Sequence, residues 1–294
     1  MRGDSMQKRC PMNAPWRHHF IAQMQVAWFA DPSGLLFYFD KREPKKGIRH
    51  QGPRGIFHEE HFYSAVDYDT GEKDVALELY LGRVVEHKAA PVIKKIVTAA
   101  RAGKTPQLTA QERADWNALV YYQMKRVPDF INRYAADLEA GYERGIIEVE
   151  EGYRPLTESE RAIVADPVTR ERIIRNVRVG AQASFSQMVA AKQASIGMVI
   201  VRITDPKKAF IIGSKPVVQM KAPGFTELAP EKAELWLPIA SDVAVAPGGQ
   251  RGSEVLLTAH DHRLIRRLNQ LSAAQSSIIA GCSKKLIASL ISPR

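Results

Sequence analysis

The chain has 294 residues, 45% of them hydrophobic and 25% charged, which is enough apolar material for a core without disulfides. Its two cysteines, Cys10 and Cys282, make no disulfide framework or zinc motif, and no apolar run reaches the roughly 18 residues that cross a bilayer. We therefore expect a cytoplasmic protein without a membrane partner. The formal net charge of +10 favours a polyanionic partner, of which nucleic acid is the commonest.

Short strands and a basic loop are predicted for the first part of the chain. Residues 1–16 are polar with two prolines, which predicts a flexible arm and no signal peptide. Residues 35–39 follow a turn sequence and are typical of a strand, as are residues 61–66. The loop between them, residues 41–54, is rich in cations that could hold a nucleic-acid backbone. From this loop we assign three residues to substrate binding: Lys45, Lys46 and Arg49.

Residues 74–194 repeat apolar side chains at three- and four-residue steps, which predicts a helical block. Asp74 is the expected N-cap of its first long helix, and Gly103 is expected to end that helix. Thr109 and Glu112 have the spacing of a capping box for the next helix. Pro128 is expected to kink that helix.

Residues 197–290 predict a sheet followed by one helix. Asp261 is the expected N-cap of that helix, and Asn269 falls off its apolar face, which predicts an exposed side chain. The order of elements predicts an α+β fold, with the helical block packed on a mostly antiparallel sheet formed by the N-terminal and C-terminal short strands. We predict one such domain over residues 17–294.

Two polar side chains lie where the helical pattern expects apolar ones. Gln123 falls inside the stripe of Trp116 and Val120, and Arg126 lies at its edge. A buried amide needs partners, and a buried guanidinium must pair with a carboxylate of the protein or with an anionic ligand. The sequence does not decide whether Arg126 pairs with a carboxylate of the protein or with an anionic ligand.

Glu78 and the histidine pair are further candidates. Glu78 lies at the border of the apolar stripe of its helix, where Arg126 or His19 could face it, and Glu86 is expected further round, toward solvent. His18 and His19 point to opposite faces if they lie on a strand, so only one points inward. Imidazole suits general acid–base catalysis or metal binding, but a core histidine beside a surface histidine is the competing reading.

Cofactor motifs are missing from the sequence. It holds no phosphate-binding glycine loop, nucleophile elbow or His-Glu-x-x-His motif. The triplet His260-Asp261-His262 resembles a metal-ligand set, although Asp261 is more simply a helix cap. We assign no metal ligands and no cofactor, while a divalent metal held by His19 and Glu78 stays open as the least favoured reading.

The segment from Arg17 to Gln23, followed by Phe29-Ala30-Asp31, resembles the opening of the bacterial family called domain of unknown function 4238. His19 and Gln23 match its first motif, whereas Phe20 and Ala22 replace its usual tyrosine and proline. The further matching positions, in chain order, are Leu35 to Lys41, Phe62-Tyr63-Ser64, Glu78, Glu86, Gln123, Arg126-Val127-Pro128, Phe210 to Val217, Leu237-Pro238-Ile239 and Leu268-Asn269.

One departure from the family concerns the residues before Pro216. Gly213 and Ser214 stand where the family usually has Asp, so we assign Ser214 and Lys215 to the substrate side of the site. If that aspartate is catalytic in relatives, this chain is inactive or differently tuned. The resemblance covers about residues 17–280 and supplies candidate positions rather than a reaction.

The residues favour a hydrolase or nuclease that cleaves a phosphodiester. His19 would be the general acid or base, Glu78 its partner, and Arg126 the group that stabilises the phosphorane charge. Gln23 and Gln123 would position the substrate. The alternative is a binding module that recognises nucleic acid or another polyanion without chemistry, with the same polar cluster as a structural element.

Overall fold

The structure, a computed structural model, describes residues 16–221, 233–259 and 261–291. Contacts within the chain divide it into two compact units. We call unit 1 the described residues within 16–18, 59–81 and 133–184, and unit 2 the described residues within 19–58, 82–132, 185–221, 233–259 and 261–291. Residues 1–15 of the predicted arm and His260 lie outside the described residues. The single domain over residues 17–294 stays a prediction.

Short strands precede and follow a long helical block in the described part of the chain. The strands are β1 (Arg17–His19), β2 (Leu36–Asp40), β3 (Arg49–Gln51), β4 (His58–Glu60), β5 (Ala65–Val66), β6 (Lys73–Asp74), β7 (Met198–Arg202), β8 (Ile212–Gly213), β9 (Val218–Lys221), β10 (Ala233–Ala240), β11 (Val243–Pro247), β12 (Glu254–Thr258) and β13 (Ile278–Gly281). The α-helices are α1 (Gln23–Val26), α2 (Ala76–Tyr80), α3 (His87–Arg101), α4 (Ala110–Lys125), α5 (Pro128–Arg133), α6 (Ala135–Gly152), α7 (Glu158–Ala165), α8 (Pro167–Ala183), α9 (Gln187–Ala194), α10 (His262–Gln275) and α11 (Lys284–Ile291). A π-helical segment, Leu81–Glu86, joins α2 to α3.

The predicted α+β class is confirmed. In unit 2, the N-terminal strands β3 and β2 join the C-terminal strands β13 and β8 in one antiparallel sheet, in that order. A second sheet has the order β12-β7-β11-β10-β9, and only its β12–β7 pair is parallel. The predicted mostly antiparallel pairing of N-terminal and C-terminal strands is therefore correct, but the described strands are divided among four sheets, two of which have only two strands.

Helix ends follow the local sequence closely. Thr109 and Glu112 form the predicted capping box of α4, and Asp261 caps α10 by accepting from the backbone N–H of Arg263. The prediction for Asp74 is wrong in part. Asp74 lies on β6, although its carboxylate still accepts from the backbone N–H of Ala76 at 2.8 Å, where α2 begins.

Apolar helix faces cover the sheets of unit 2. The buried face of α3, which includes Ile93, Ile96 and Val97, packs on β7 and β10. Ile279 of β13 and Ile287 of α11 belong to a separate apolar cluster on the four-stranded sheet. The amphipathic period of these helices thus buries one face of each, as expected for helices on a sheet.

Asn269 corrects a sequence expectation, since its side chain is 3% exposed and not on the surface. Its Oδ1 accepts from the backbone N–H of Ile211 at 3.1 Å, and its Nδ2 donates to the carbonyl of Ala209 at 2.8 Å. The amide thus takes the place of a neighbouring strand for the chain that leads into β8. Gln275 binds both backbone groups of Gln219 in the same way.

Unit 1 is built on three helices and a short ribbon. Helices α6 and α7 pack against α8, and the β5–β6 ribbon lies on α8. Asn176 of α8 accepts from the N–H of Val66 and donates to its carbonyl, both at 2.8 Å. Arg175 donates to the carbonyls of His61 and Ser64. Side chains of α8 therefore fix the conformation of residues 61–66.

Candidate functional site

The predicted site residues are distributed between the two units. Glu78 is half-buried on α2 in unit 1. All the other assigned residues belong to unit 2: His19, Gln23, Lys45, Lys46, Arg49, Gln123, Arg126, Ser214 and Lys215.

Arg126 is the most deeply buried cation of the predicted set. Its side chain is 1% exposed, and its Nη1 donates to Oε1 of Glu86 at 2.6 Å. The expectation that Glu86 turns toward solvent is therefore wrong. The cause is the π-helical segment that ends at Glu86, since its wider turn shifts the helical phase on which the expectation depended.

Gln123 is fully buried, as the helical phase predicts. Its Nε2 donates to Oε1 of Gln25 at 3.2 Å, and Gln25 in turn donates to the carbonyl of Pro238 at 3.1 Å. Gln25 was not among the predicted site residues, although a glutamine between the apolar Met24 and Val26 is a signal of the same kind. Both Gln123 and Arg126 are buried, and their assigned roles toward substrate stay predictions.

The inward histidine of the pair is His18, while the catalytic role assigned to His19 stays a prediction. His18 is 0% exposed, and its Nδ1 accepts from the backbone N–H of Tyr63 at 2.9 Å. Its ring stacks on Tyr63 with 5.6 Å between centroids and lies 6.0 Å from the ring of His61. Because Nδ1 accepts a hydrogen bond, the neutral ring carries its proton on Nε2.

His19 is half-buried and held on both ring nitrogens. Its Nε2 is 3.1 Å from the carbonyl of Arg54, which can only accept, so Nε2 carries the proton. Nε2 of Gln23 lies 3.2 Å from Nδ1 of His19 and donates to it. The His58 ring lies 5.5 Å from that of His19, between centroids. His58 was not among the predicted site residues, because no motif marks it.

The basic loop is partly neutralised by its own carboxylate. Glu43 binds Nζ of Lys46 at 2.6 Å and Nη2 of Arg49 at 3.4 Å, and the Arg49 guanidinium lies 4.5 Å from the centre of the Tyr38 ring. Lys45 and Arg54 are exposed. Residues 41–54 hold six Lys or Arg residues and one carboxylate, so the loop keeps a strong positive charge.

Ser214 has a structural role in this chain. It is 0% exposed, and its Oγ accepts from the backbone N–H groups of Ser277 and Ile278 at 2.9 and 3.2 Å. The backbone N–H of Lys215 donates to Oγ of Ser276 at 3.1 Å. The hydroxyl is thus engaged in holding residues 276–278, and the assignment of Ser214 to the substrate stays a prediction. Lys215 as a substrate ligand stays a prediction.

His61 should make stability depend on pH. Burial, with Lys73 and Arg175 nearby, lowers its pKa from the usual 6.5, so the unfolded chain binds the proton more readily. The free energy of unfolding should therefore fall as the pH decreases below 6.5, by less than about 1 kcal/mol because solvent screens the ring. Urea unfolding between pH 7.5 and 5 measures this.

The matched variant for that experiment is His61→Asn. His61 has a φ of 52°, a left-handed conformation that asparagine tolerates better than most residues. The variant should lose less stability than the wild type over the same pH range. An equal loss in both proteins would show that His61 does not contribute to the dependence.

Metal-binding clusters and membrane-spanning helices are both missing from the described residues. Among these residues, no group of three or more His, Cys, Asp or Glu side chains is arranged to hold a metal ion. Within the same ranges, no helix is long and apolar enough to span a membrane. No curated protein and no solved structure matches the chain significantly. The model of one family matches residues 17–288, which confirms the resemblance, and the chain belongs to that family, described as "Protein of unknown function (DUF4238)".

Proposed function

We propose that unit 2 binds RNA through the basic loop of residues 41–54 and cleaves it at the pair formed by His19 and His58. The observation that carries the proposal is the proximity of these two half-buried imidazoles, whose ring centroids are 5.5 Å apart. The exposed Arg54 lies at the same place, because its carbonyl binds His19. Two imidazoles and a guanidinium beside a basic loop suit a phosphodiester substrate.

The reaction needs one base and one acid, and two imidazoles supply both. One neutral imidazole takes the proton of the ribose 2′-hydroxyl, and the 2′-oxygen forms a bond to phosphorus. The bond from phosphorus to the 5′-oxygen breaks, and the other imidazole, protonated, gives its proton to that oxygen. The products are a 2′,3′-cyclic phosphate and a 5′-hydroxyl. DNA lacks the 2′-hydroxyl and cannot react in this way.

Gln23 and Arg54 support this chemistry from fixed positions. The Gln23 amide donates to Nδ1 of His19 and must leave that nitrogen before it can act as a base. The carbonyl of Arg54 accepts from Nε2 of His19 and so fixes the orientation of that ring. The exposed guanidinium of Arg54 can turn toward the charge that develops on phosphorus. Gln123 and Arg126 then act as buried supports of the fold around α1, and the partnership of Glu78 with His19 stays a prediction.

The test is cleavage of a DNA oligonucleotide that contains a single ribonucleotide. The wild type should cut it at that position and leave an all-DNA strand intact. His19→Ala and His58→Ala should each lower kcat/KM by about 10²–10⁴, the usual contribution of a general acid or base. His87→Ala is the matched control, since His87 is exposed on α3 and outside the pair. Equal cleavage by wild type and both histidine variants would overturn the assignment.

Binding of a polyanion without cleavage is the second candidate. The observation that favours it is that both ring nitrogens of His19 already carry hydrogen bonds within the protein. In that case salt-sensitive RNA binding should survive His19→Ala and decline with Lys45→Ala, and no product should form. Absence of binding at low salt would exclude both candidates.

A further inference from the structure

Unit 1 contains a second cationic site, which is lined by residues other than those of the proposed RNA site. A cavity of about 320 Å³ is lined largely by α8, with three arginines, Arg170, Arg175 and Arg178, and two carboxylates, Glu139 and Glu171. Three arginines on one helix face repel one another unless anions compensate them. If every arginine has partners within the protein, the cavity needs no ligand. An arginine that lacks such partners indicates a ligand-binding site.

Two of the three arginines are fully engaged by the protein. Arg170 binds the carboxylates of Glu139 and Glu143 at 2.8 and 2.6 Å. Arg175 donates from Nε and Nη2 to the carbonyls of Ser64 and His61. The carboxylates of Glu139 and Glu143 balance the charge of Arg170. The carbonyls that bind Arg175 are neutral and do not balance its positive charge.

Arg178 is different, because it is half-buried without a compensating contact. Its Nε is shielded from solvent and has no hydrogen-bond partner among the described residues. The acidic groups that act on it, Glu59 and Glu171, do so electrostatically and without an ion pair, and the neighbouring Arg175 opposes its charge. The shielding and the second cation both lower the pKa of Arg178. Shielding a guanidinium from water without a hydrogen-bonded counterion does not stabilise the folded protein.

Gln182, one turn further along α8, is a second polar side chain that is shielded from solvent. Its side chain is 2% exposed, and neither Oε1 nor Nε2 has a hydrogen-bond partner among the described residues. Residues four apart on a helix lie on the same face, so Gln182 and Arg178 are neighbours. The shielded Nε of Arg178 and the buried amide of Gln182 are thus adjacent polar groups without partners among the described residues, which is uncommon in a native fold, although Gln182 does not line the cavity.

We propose that the cavity of unit 1 binds a phosphate monoester group, with Arg178 as its main ligand. The fork of the guanidinium matches phosphate oxygens, and the positive charge of Arg175 adds to the attraction. Pro167 and Ile174 supply an apolar wall of the same cavity, which suits the organic part of an ester. A bound phosphate gives Arg178 the partner that the chain itself does not provide. This proposal is independent of the proposed RNA cleavage.

The experiment follows the Nε–H resonance of Arg178 by NMR while inorganic phosphate, phenyl phosphate or acetate is added at constant ionic strength. The Arg178 resonance, assigned through its loss in Arg178→Gln, should shift with saturation on adding phenyl phosphate. Inorganic phosphate should shift it with the same endpoint but lower affinity, because it lacks an organic part. Acetate binding as tightly as either phosphate compound would overturn the assignment, as would no saturating shift with either.

Variants separate a binding role from a structural one. Arg178→Gln should weaken phosphate binding at least tenfold, and Arg178→Lys should restore only part of it because the fork is lost. Without phosphate, Arg178→Gln should have a Tm equal to or above that of the wild type, since an uncompensated charge is removed. A lower Tm in chloride alone would show that Arg178 is structural and would overturn the proposal. Arg161→Gln, on an exposed pair with Glu150, is the matched control.

Discussion

Replacing Glu86 with glutamine is expected to lower the free energy of unfolding by about 3 kcal/mol. Arg126 is 1% exposed, and Glu86 is the carboxylate at 2.6 Å from its Nη1. The variant keeps the shape and one hydrogen-bond acceptor but leaves the guanidinium charge in the core without this counterion. Glu86 is itself 22% exposed, so we expect the lower end of the usual 3–5 kcal/mol. Urea unfolding at pH 7 measures the change.

Two further variants test the cause of that loss. Glu150→Gln removes the carboxylate of the exposed pair with Arg161 and should cost less than about 1 kcal/mol. The double variant Glu86→Leu with Arg126→Met removes both charges and should recover a large part of the stability lost by Glu86→Gln. If the double variant is less stable than Glu86→Gln, the burial of an unpaired charge is not the reason for the loss.

Replacing Asn269 with leucine is expected to cost about 2–4 kcal/mol, although leucine has a similar volume and is a good helix former. The variant leaves the N–H of Ile211 and the carbonyl of Ala209 without the partner that they have in the wild type. Each buried backbone group without a partner costs about 1–3 kcal/mol. Gln270→Leu, one residue along on the exposed side of α10, should change stability by less than about 0.5 kcal/mol.

Asn269→Asp gives the same contact a dependence on pH. An ionised carboxylate accepts from the N–H of Ile211 but cannot donate to Ala209, whereas a protonated carboxyl group can do both. The loss relative to the wild type should therefore be smaller at pH 4 than at pH 7. A loss that is the same at both pH values would show that the donor of Asn269 does not matter.

The sequence determined those features that depend on neighbours within one or two turns of the chain. The capping box of Thr109 and the cap by Asp261 need only residues two or three apart, so their chemistry is visible in the sequence. The burial of Gln123 follows from the 100° step of one regular helix, whereas Arg126 stands just past the end of α4. The alternation of a strand likewise required that one of His18 and His19 point inward.

The tertiary structure decided which residues meet across the chain. A π-helical segment turned Glu86 toward Arg126, and a rule based on regular helical phase cannot anticipate a change of pitch. His18 is the buried histidine of the pair, and its ring accepts a hydrogen bond from the backbone N–H of Tyr63, 45 residues away. The fold also brings His58 beside His19. Asn269 was buried because a distant segment needed its amide. Such partners depend on long-range packing, which local periodicity does not encode.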